Sequence, residues 1–226
     1  MRLTYLGHSC FLVETARARL LIDPYLRENP RAPQGAADLS CDYILLSHGH
    51  DDHTADALKI ALRCGATIVA NYEIAEYFAA LGAKTHALNP GGGFNFPFGR
   101  VKLTLAHHTS SLGPALNPIY LGAPCGLLVS ADGKTLYHAG DTAVFLDMQL
   151  IGRAGLDAAL LPIGDNYTMG PDDALVALDL LRPRVAVPMH YDTWPLIAQD
   201  AAAFATRAAQ AGHRVEVLAP GATLAI

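Results

Sequence analysis

His48-Gly49-His50-Asp51-Asp52-His53 stands directly after a short apolar run, Tyr43-Ile44-Leu45-Leu46-Ser47, in a chain of 226 residues. The apolar run predicts a buried strand, and the histidine-rich loop after it predicts a metal site at the end of that strand. Residues two apart on an extended segment face the same way, so His48 and His50 can point into one pocket. Where the chain then turns into a helix, Asp52 and His53 can approach from another side. One loop therefore offers two ligands to one metal and two to a second.

The alternative interpretation of this loop is a polar turn whose histidines only form hydrogen bonds. Three histidines and two aspartates within six residues, at the end of an apolar strand, favour the metal site instead. Neutral imidazole and carboxylate are ligands that suit zinc and its first-row neighbours. Zinc is the default expectation and manganese the next, and the same ligand types also accept iron, cobalt or nickel.

Two metals need more ligands than one loop provides, and three further predicted strands end at suitable side chains. The strand at 101–106 ends at His107 and His108, of which only one should bind metal because neighbouring residues on a strand face opposite ways. The strand at 135–137 leads to Asp141, and the strand at 185–187 leads to His190. Functional side chains in layered α/β folds concentrate on loops at one edge of a sheet.

The rest of the chain alternates strands with helices, which predicts one α/β domain over residues 1–226. Helices are expected at 55–64, 73–81, 172–181 and 197–211. Asp132-Gly133 predicts a hairpin turn between two strands. The segments 215–218 and 223–226 are expected to form a closing hairpin.

Composition restricts the partners. The formal net charge is −5 and the 16 lysines and arginines form no basic stripe, so nucleic acid is not expected as a partner. No apolar run is long enough to span a bilayer, and the N-terminus does not resemble a signal peptide. The four cysteines lack the spacing of a metal knuckle or a redox pair, which suggests free thiols in a reducing cytoplasm. A small-molecule substrate is expected, and the sequence leaves homo-oligomerisation open.

The His-x-His-x-Asp-His motif, followed by a lone histidine, a Gly-Asp and a final histidine, resembles the metallo-β-lactamase superfamily. More narrowly, the chain resembles metal-dependent hydrolases related to ascorbate-6-phosphate lactonase. The narrower resemblance rests on Gly7-His8-Ser9, Asp23-Pro24, His138-Ala139-Gly140-Asp141-Thr142 and the segment 162–171. These motifs span residues 7 to about 195.

The resemblance implies a four-layer αββα sandwich with the site at one edge of its two sheets. It assigns His48, His50 and a later histidine to the first metal. The family places a Ser or Thr pair after that histidine, which favours His108 over His107. The second metal would take Asp52, His53 and His190, and Asp141 would bridge both metals.

Other residues have two interpretations each. His8 would either contact substrate or donate a proton to the leaving group, or be a structural histidine. Asp165 and Asn166 would line the pocket or cap the following helix, and Thr109 is assigned to the substrate pocket beside His108. His138 is expected to support Asp141. Tyr191 and Trp194 would shape the substrate wall or pack in the core.

The predicted reaction is hydrolysis of a small ester, lactone or phosphoester by a hydroxide held between two divalent metals, with Asp52 orienting it. Two alternatives use the same fold. One is a mono-iron dioxygenase or oxidoreductase, which would not need Asp52 and His190 as ligands. The other is a phosphodiesterase.

Overall fold

The computed structural model describes residues 1–114 and 116–226. Within them, a first mixed sheet follows the order β15-β1-β2-β3-β4-β5-β6. Its short apolar strands are separated by turns, as the sequence predicts. The strands are β1 (Arg2–Tyr5), β2 (Phe11–Glu14), β3 (Arg19–Ile22), β4 (Tyr43–Leu45), β5 (Thr67–Asn71), β6 (Lys84–Leu88) and β15 (Thr223–Ala225).

A second sheet has the order β14-β13-β12-β11-β8-β7. Asp132 and Gly133 form the predicted turn between β11 and β12, and both have positive φ. A separate two-stranded hairpin pairs β9 with β10. The bounds are β7 (Gly93–Phe96), β8 (Gly99–Leu105), β9 (Ser111–Leu112), β10 (Ile119–Tyr120), β11 (Cys125–Ala131), β12 (Lys134–His138), β13 (Ala158–Pro162) and β14 (Val185–Met189).

Helices cover the outer faces of both sheets, which confirms the four-layer αββα sandwich. One apolar cluster lies between the sheets, where Phe11 and Leu20 meet Leu127 and Leu160. A second packs the first sheet against α2 and α3, and a third packs the second sheet against α4, α5 and α6. No helix in the described ranges has the length and apolar character needed to cross a bilayer. The helices are α1 (Asp51–Thr54), α2 (Ala57–Cys64), α3 (Tyr72–Ala80), α4 (Met148–Gly152), α5 (Pro171–Leu181) and α6 (Ala201–Gln210).

Strand direction explains how distant residues reach one site. In the first sheet, β1, β3 and β4 run the same way, because β2 is antiparallel to both of its neighbours and β3 is parallel to β4. In the second sheet, β8, β12, β13 and β14 share one direction for the same reason. The loops after these strands therefore lie together at the carboxyl edge of each sheet.

The C-terminal hairpin prediction is wrong. Val215 forms a parallel bridge with Ala186 of the second sheet, whereas β15 pairs antiparallel with β1 of the first. Pro220 cannot donate a ladder hydrogen bond, and Gly221 instead donates its N–H to the Tyr5 carbonyl. The helix predicted at 197–211 begins at Ala201, because the Asp200 side chain caps it by accepting from the Ala203 N–H.

Candidate metal centre

Three histidines from the ends of β4 and β8 converge on one point. One nitrogen each of His48, His50 and His108 lies within 4.8 Å of the others. Nε2 of His48 is 3.0 Å from Nδ1 of His50. The extended backbone of His50, at φ −65° and ψ 150°, places both loop histidines on one side before α1 begins. This set could hold one metal ion.

A second set forms beside the first. Asp52 and His53 lie on α1, and His190 follows β14. Nε2 of His53 and Nε2 of His190 are each 3.8 Å from Oδ2 of Asp52. His8 completes a group of four whose candidate ligand atoms all lie within 4.8 Å of one another. This set could hold a second ion.

Asp141, in the loop after β12, lies between the two sets. Its Oδ2 is 3.6 Å from Nε2 of His108 and 3.0 Å from Nε2 of His190. Its Oδ1 is 3.4 Å from Nε2 of His53. Oδ2 of this carboxylate therefore lies within reach of both sets and Oδ1 within reach of the second, so Asp141 could contact an ion held by either set.

The donor atoms fit a bound cation. Nε2 of His53 and Oδ1 of Asp141 are buried and have no hydrogen-bond partner among the described residues, although they face each other. Buried polar atoms are almost always satisfied, and a cation bound at this point would satisfy both of these atoms. Imidazole nitrogen and carboxylate oxygen together suit zinc and its first-row neighbours.

Burial sets the protonation of the first set. It lowers the pKa of His48 well below the usual value, and it also lowers the pKa of His50 and of His108. Lowered pKa values keep these rings neutral at pH 7, which is the form of imidazole that binds metal. At His53, in the second set, burial is outweighed by charge. The carboxylates of Asp141 and Asp52 hold the pKa of His53 well above its usual value, so a metal binding there would displace a proton.

Asp23 supports ligands of both sets from behind. It directly follows β3 and is completely buried. Its Oδ2 accepts from Nδ1 of His53 at 2.8 Å and from the Ser47 hydroxyl at 2.6 Å. Because the Ser47 hydroxyl donates to Asp23, it accepts from Nδ1 of His48 at 2.9 Å. Both histidines are thereby held with Nε2 free to bind a metal.

His8 lies behind Asp52 and does not line the cavity. Its ring is completely buried, its Nε2 is 3.0 Å from Oδ2 of Asp52, and its Nδ1 is 2.8 Å from the Thr193 hydroxyl. Burial, helped by His190, lowers the pKa of His8 to about 4, so the ring is neutral at pH 7. With Nε2–H donating to Asp52, Nδ1 accepts from Thr193. The arrangement favours a positioning role over the predicted contact with substrate or leaving group.

The adjacent histidines after β8 point to different surroundings. His108 faces Asp141 and the first set, whereas His107 is exposed and packs edge-on against Phe145, with ring centroids 4.9 Å apart. His138 donates from Nε2 to the Ser9 carbonyl at 2.9 Å and accepts the Gly140 N–H on Nδ1 at 3.1 Å. His138 therefore holds the turn that leads to Asp141.

A cavity of about 580 Å³ opens above the two sets. Thr109 lies in its wall, with its hydroxyl 3.4 Å from Nε2 of His50. From the segment after β13, Tyr167 lines the wall, whereas Asp165 and Asn166 do not. The reason is a tight turn in which both of these residues have positive φ and the Asp165 carbonyl accepts the Thr168 N–H. Their predicted contact with substrate stays a prediction.

Left-handed backbone concentrates at this edge. Of the eight non-glycine residues with positive φ in the described ranges, six follow β1, β3, β13 or β14. Such a conformation is uncommon for residues other than glycine, and it is held here by neighbouring contacts. The His190 N–H, for example, donates to the His8 carbonyl at 2.9 Å. The six residues are His8, Asp23, Asp165, Asn166, His190 and Asp192.

Sequence reasoning did not assign a role to several residues that form this site. Asp23 could have been found from its position, because it follows an apolar strand as Ser47 does before the histidine loop. Thr193 carries no signal of its own, since its role depends on the fold bringing it to His8. The loop at 25–41 also contributes Tyr25 and Glu28 to the cavity wall.

Comparisons with known proteins agree with this architecture. A family model described as a β-lactamase superfamily domain matches residues 2–190. A UPF0173 metal-dependent hydrolase of Opitutus terrae is 55% identical over the full length of both chains. Another of Desulforamulus reducens is 51% identical, again over the full length of both. The solved structure of Igni18, a metallo hydrolase of Ignicoccus hospitalis, is 38% identical with a TM-score of 0.90, covering 99% of this chain and 97% of that one.

Proposed function

The chain belongs to the β-lactamase superfamily and, within it, to the family of UPF0173 metal-dependent hydrolases, and on that premise we propose that it hydrolyses a small ester, lactone or phosphoester with two divalent metal ions. His48, His50 and His108 would hold the first ion. Asp52, His53 and His190 would hold the second, and Asp141 would bridge them. Zinc is the first candidate and manganese the second.

The position of Asp141 carries the proposal. Its two oxygens reach a histidine of the first set at 3.6 Å and two histidines of the second at 3.0 and 3.4 Å. Burial alone would raise its pKa, but His190 and His53 outweigh burial and hold that pKa well below the usual range. Asp141 is therefore ionised, and its buried carboxylate lies among four histidine ring nitrogens, a donor set that suits a divalent cation.

Bound divalent ions would lower the pKa of a coordinated water to about 7 and polarise the substrate oxygen. The protein's own groups position the reactants. Asp52 faces the cavity and would orient the attacking water. His8 holds Asp52 in place by donating from Nε2, and Thr109 presents a hydroxyl to the bound substrate.

The test is metal content per chain by elemental mass spectrometry on protein purified without chelator. It is paired with a hydrolysis screen over esters, lactones and phosphodiesters. About two zinc or manganese ions per chain, with turnover lost on chelation, is the expected result. A single iron with no hydrolysis would overturn the proposal.

His108→Ala and His107→Ala form a matched pair for the same assay, because the two histidines are adjacent and only His108 faces the first set. His108→Ala should lose about one metal equivalent and most turnover, whereas His107→Ala should keep both. Equal effects of the two substitutions would contradict the ligand assignment. Full metal content and turnover in Asp141→Ala would contradict the bridge.

A further inference from the structure

The outer wall of the cavity is acidic and aromatic. Beyond the candidate ligands, Tyr25, Tyr167 and Trp194 line it, together with the carboxylates of Glu28 and Asp51. Among the lining residues that the structure describes, none is lysine or arginine. A small-molecule site usually holds a few polar groups that match its ligand, so the absence of a basic group here is informative.

Neither outer carboxylate has an ion-pair partner among the described residues, and both residues are exposed to the cavity. Arg27, next to Glu28 in the chain, does not neutralise it. The Arg27 guanidinium instead lies 3.3 Å from Asp56 and 3.9 Å from Asp38. The carboxylates of Glu28 and Asp51 are therefore available to attract a positively charged group that enters the cavity.

The charge balance of the whole cavity points the same way. Four carboxylates line it, those of Glu28, Asp51, Asp52 and Asp141. The positive charge of two divalent ions bound among them would be fully neutralised by these carboxylates. No net positive charge would then remain to attract an anionic substrate. A site for a phosphorylated or carboxylated substrate would be expected to supply an arginine or lysine.

The acidic wall is also held in place before a ligand arrives. Oδ2 of Asp56 accepts from the Leu26 and Arg27 N–H groups at 2.8 and 2.9 Å, which fixes the loop after β3 to α2. The Tyr25 hydroxyl donates to the Glu28 carbonyl at 3.1 Å. The Trp194 ring packs on His8, with centroids 5.0 Å apart. A wall ordered in this way loses little conformational entropy on binding.

We propose that this outer wall binds a substituted ammonium group, so that the substrate is a small ester or lactone with a cationic amine. Aromatic faces combined with carboxylates are the groups that recognise such cations. This inference rests on the proposed function for the bond that is cleaved, while the recognition of the cation depends only on the outer wall.

Trp194 provides a readout of binding that does not need turnover, because it is the only tryptophan in the chain and lies in the wall. Its fluorescence is titrated in the zinc-loaded protein with three acetate esters of similar size. The alcohols carry a trimethylammonium group, an uncharged tert-butyl group or a sulfonate. The ammonium ester should bind about fivefold more tightly than the tert-butyl ester, and the sulfonate ester more weakly than both.

In the double variant Glu28→Gln with Asp51→Asn, the preference for the ammonium ester over the tert-butyl ester should fall to less than about twofold. Binding of the tert-butyl ester should not weaken. A matched control, Glu76→Gln with Asp173→Asn, removes two exposed carboxylates outside the cavity and should leave the preference unchanged. Tighter binding of the sulfonate ester, no saturable response to the ammonium ester, or a preference that survives the double variant would overturn the inference. Selective binding without hydrolysis would support the inference and count against the proposed function.

Discussion

The hydroxyl oxygen of Thr193 lies 2.8 Å from Nδ1 of His8, on the side of the ring opposite Asp52. Thr193 donates, Nδ1 accepts, and Nε2–H is directed at Oδ2 of Asp52 at 3.0 Å. The threonine thereby selects the tautomer of His8, and His8 in turn orients a carboxylate that faces the cavity.

Thr193→Val should therefore lower kcat by about 10- to 100-fold, because loss of the donor lets Nδ1 take the proton and deprives Asp52 of its hydrogen bond. Thr193→Ser keeps the hydroxyl and should retain most activity. Steady-state kinetics checks this, with a substrate found in the hydrolysis screen. Metal content is measured on the same samples. A serine variant as impaired as the valine variant would argue for a packing role instead.

Asp23→Asn should weaken metal binding by about 10- to 100-fold, since the substitution removes the acceptor that holds Nδ1 of His53 and orients Ser47. Ser47→Ala should have a smaller effect, because it disturbs only His48. Competition with a chromogenic chelator measures both affinities. If Asp23→Asn binds zinc as tightly as the unmodified chain, the proposed support of the ligands fails.

Gly49→Ala should destabilise the fold by about 1–3 kcal/mol through overpacking. A Cβ at this position would lie 2.8 Å from Cδ1 and 2.9 Å from Cβ of Leu121. Leu121→Ala removes the nearer of these two atoms. The loss in free energy of unfolding in the double variant should therefore be smaller than the sum of the losses in the two single variants. Urea unfolding of the four proteins measures this coupling. Strictly additive losses would mean that the contact is relieved elsewhere.

Asp157 should make stability depend on pH. Its carboxylate accepts from the Thr135 N–H at 2.9 Å and from Lys134 at 3.2 Å, and these contacts lower its pKa. A carboxyl whose pKa is lower in the folded state stabilises the protein above the unfolded pKa, about 3.9, and stops doing so as pH falls through the folded pKa. Asp157→Asn should be less stable than the unmodified chain at pH 7, with the difference shrinking below about pH 4. A constant difference in urea unfolding between pH 7 and the acid limit would refute this.

Much of the site follows from local pattern. The loop at 48–53 carries its ligand spacing within six residues, and strands that share a direction deliver Asp141 and His190 to the same edge. The choice of His108 over His107 came from a resemblance, and the structure places His108 beside Asp141. These features depend on short segments whose period and sequence order are visible in the chain.

Other features depend on which segments meet across the fold. The last two strand-like segments join different sheets, which their own composition does not indicate. The position of His8 depends on Thr193, a residue 185 positions away. The acidic wall depends on Asp56 fixing a loop that contains no regular structure at Tyr25 and Glu28. Side-chain hydrogen bonds of this kind become visible only in three dimensions.

The residues that hold a strained left-handed backbone at the carboxyl edge are also residues whose side chains form the site. At His8, Asp23 and His190, glycine would adopt the observed φ without steric cost, yet it would remove the side chain that forms the site. Relief of that strain would also cost stability, because glycine at Asp23 would leave the Ser47 N–H, the Ser47 hydroxyl and Nδ1 of His53 without their acceptor. Any effort to raise the thermal tolerance of this chain should therefore hold these residues fixed and change other positions.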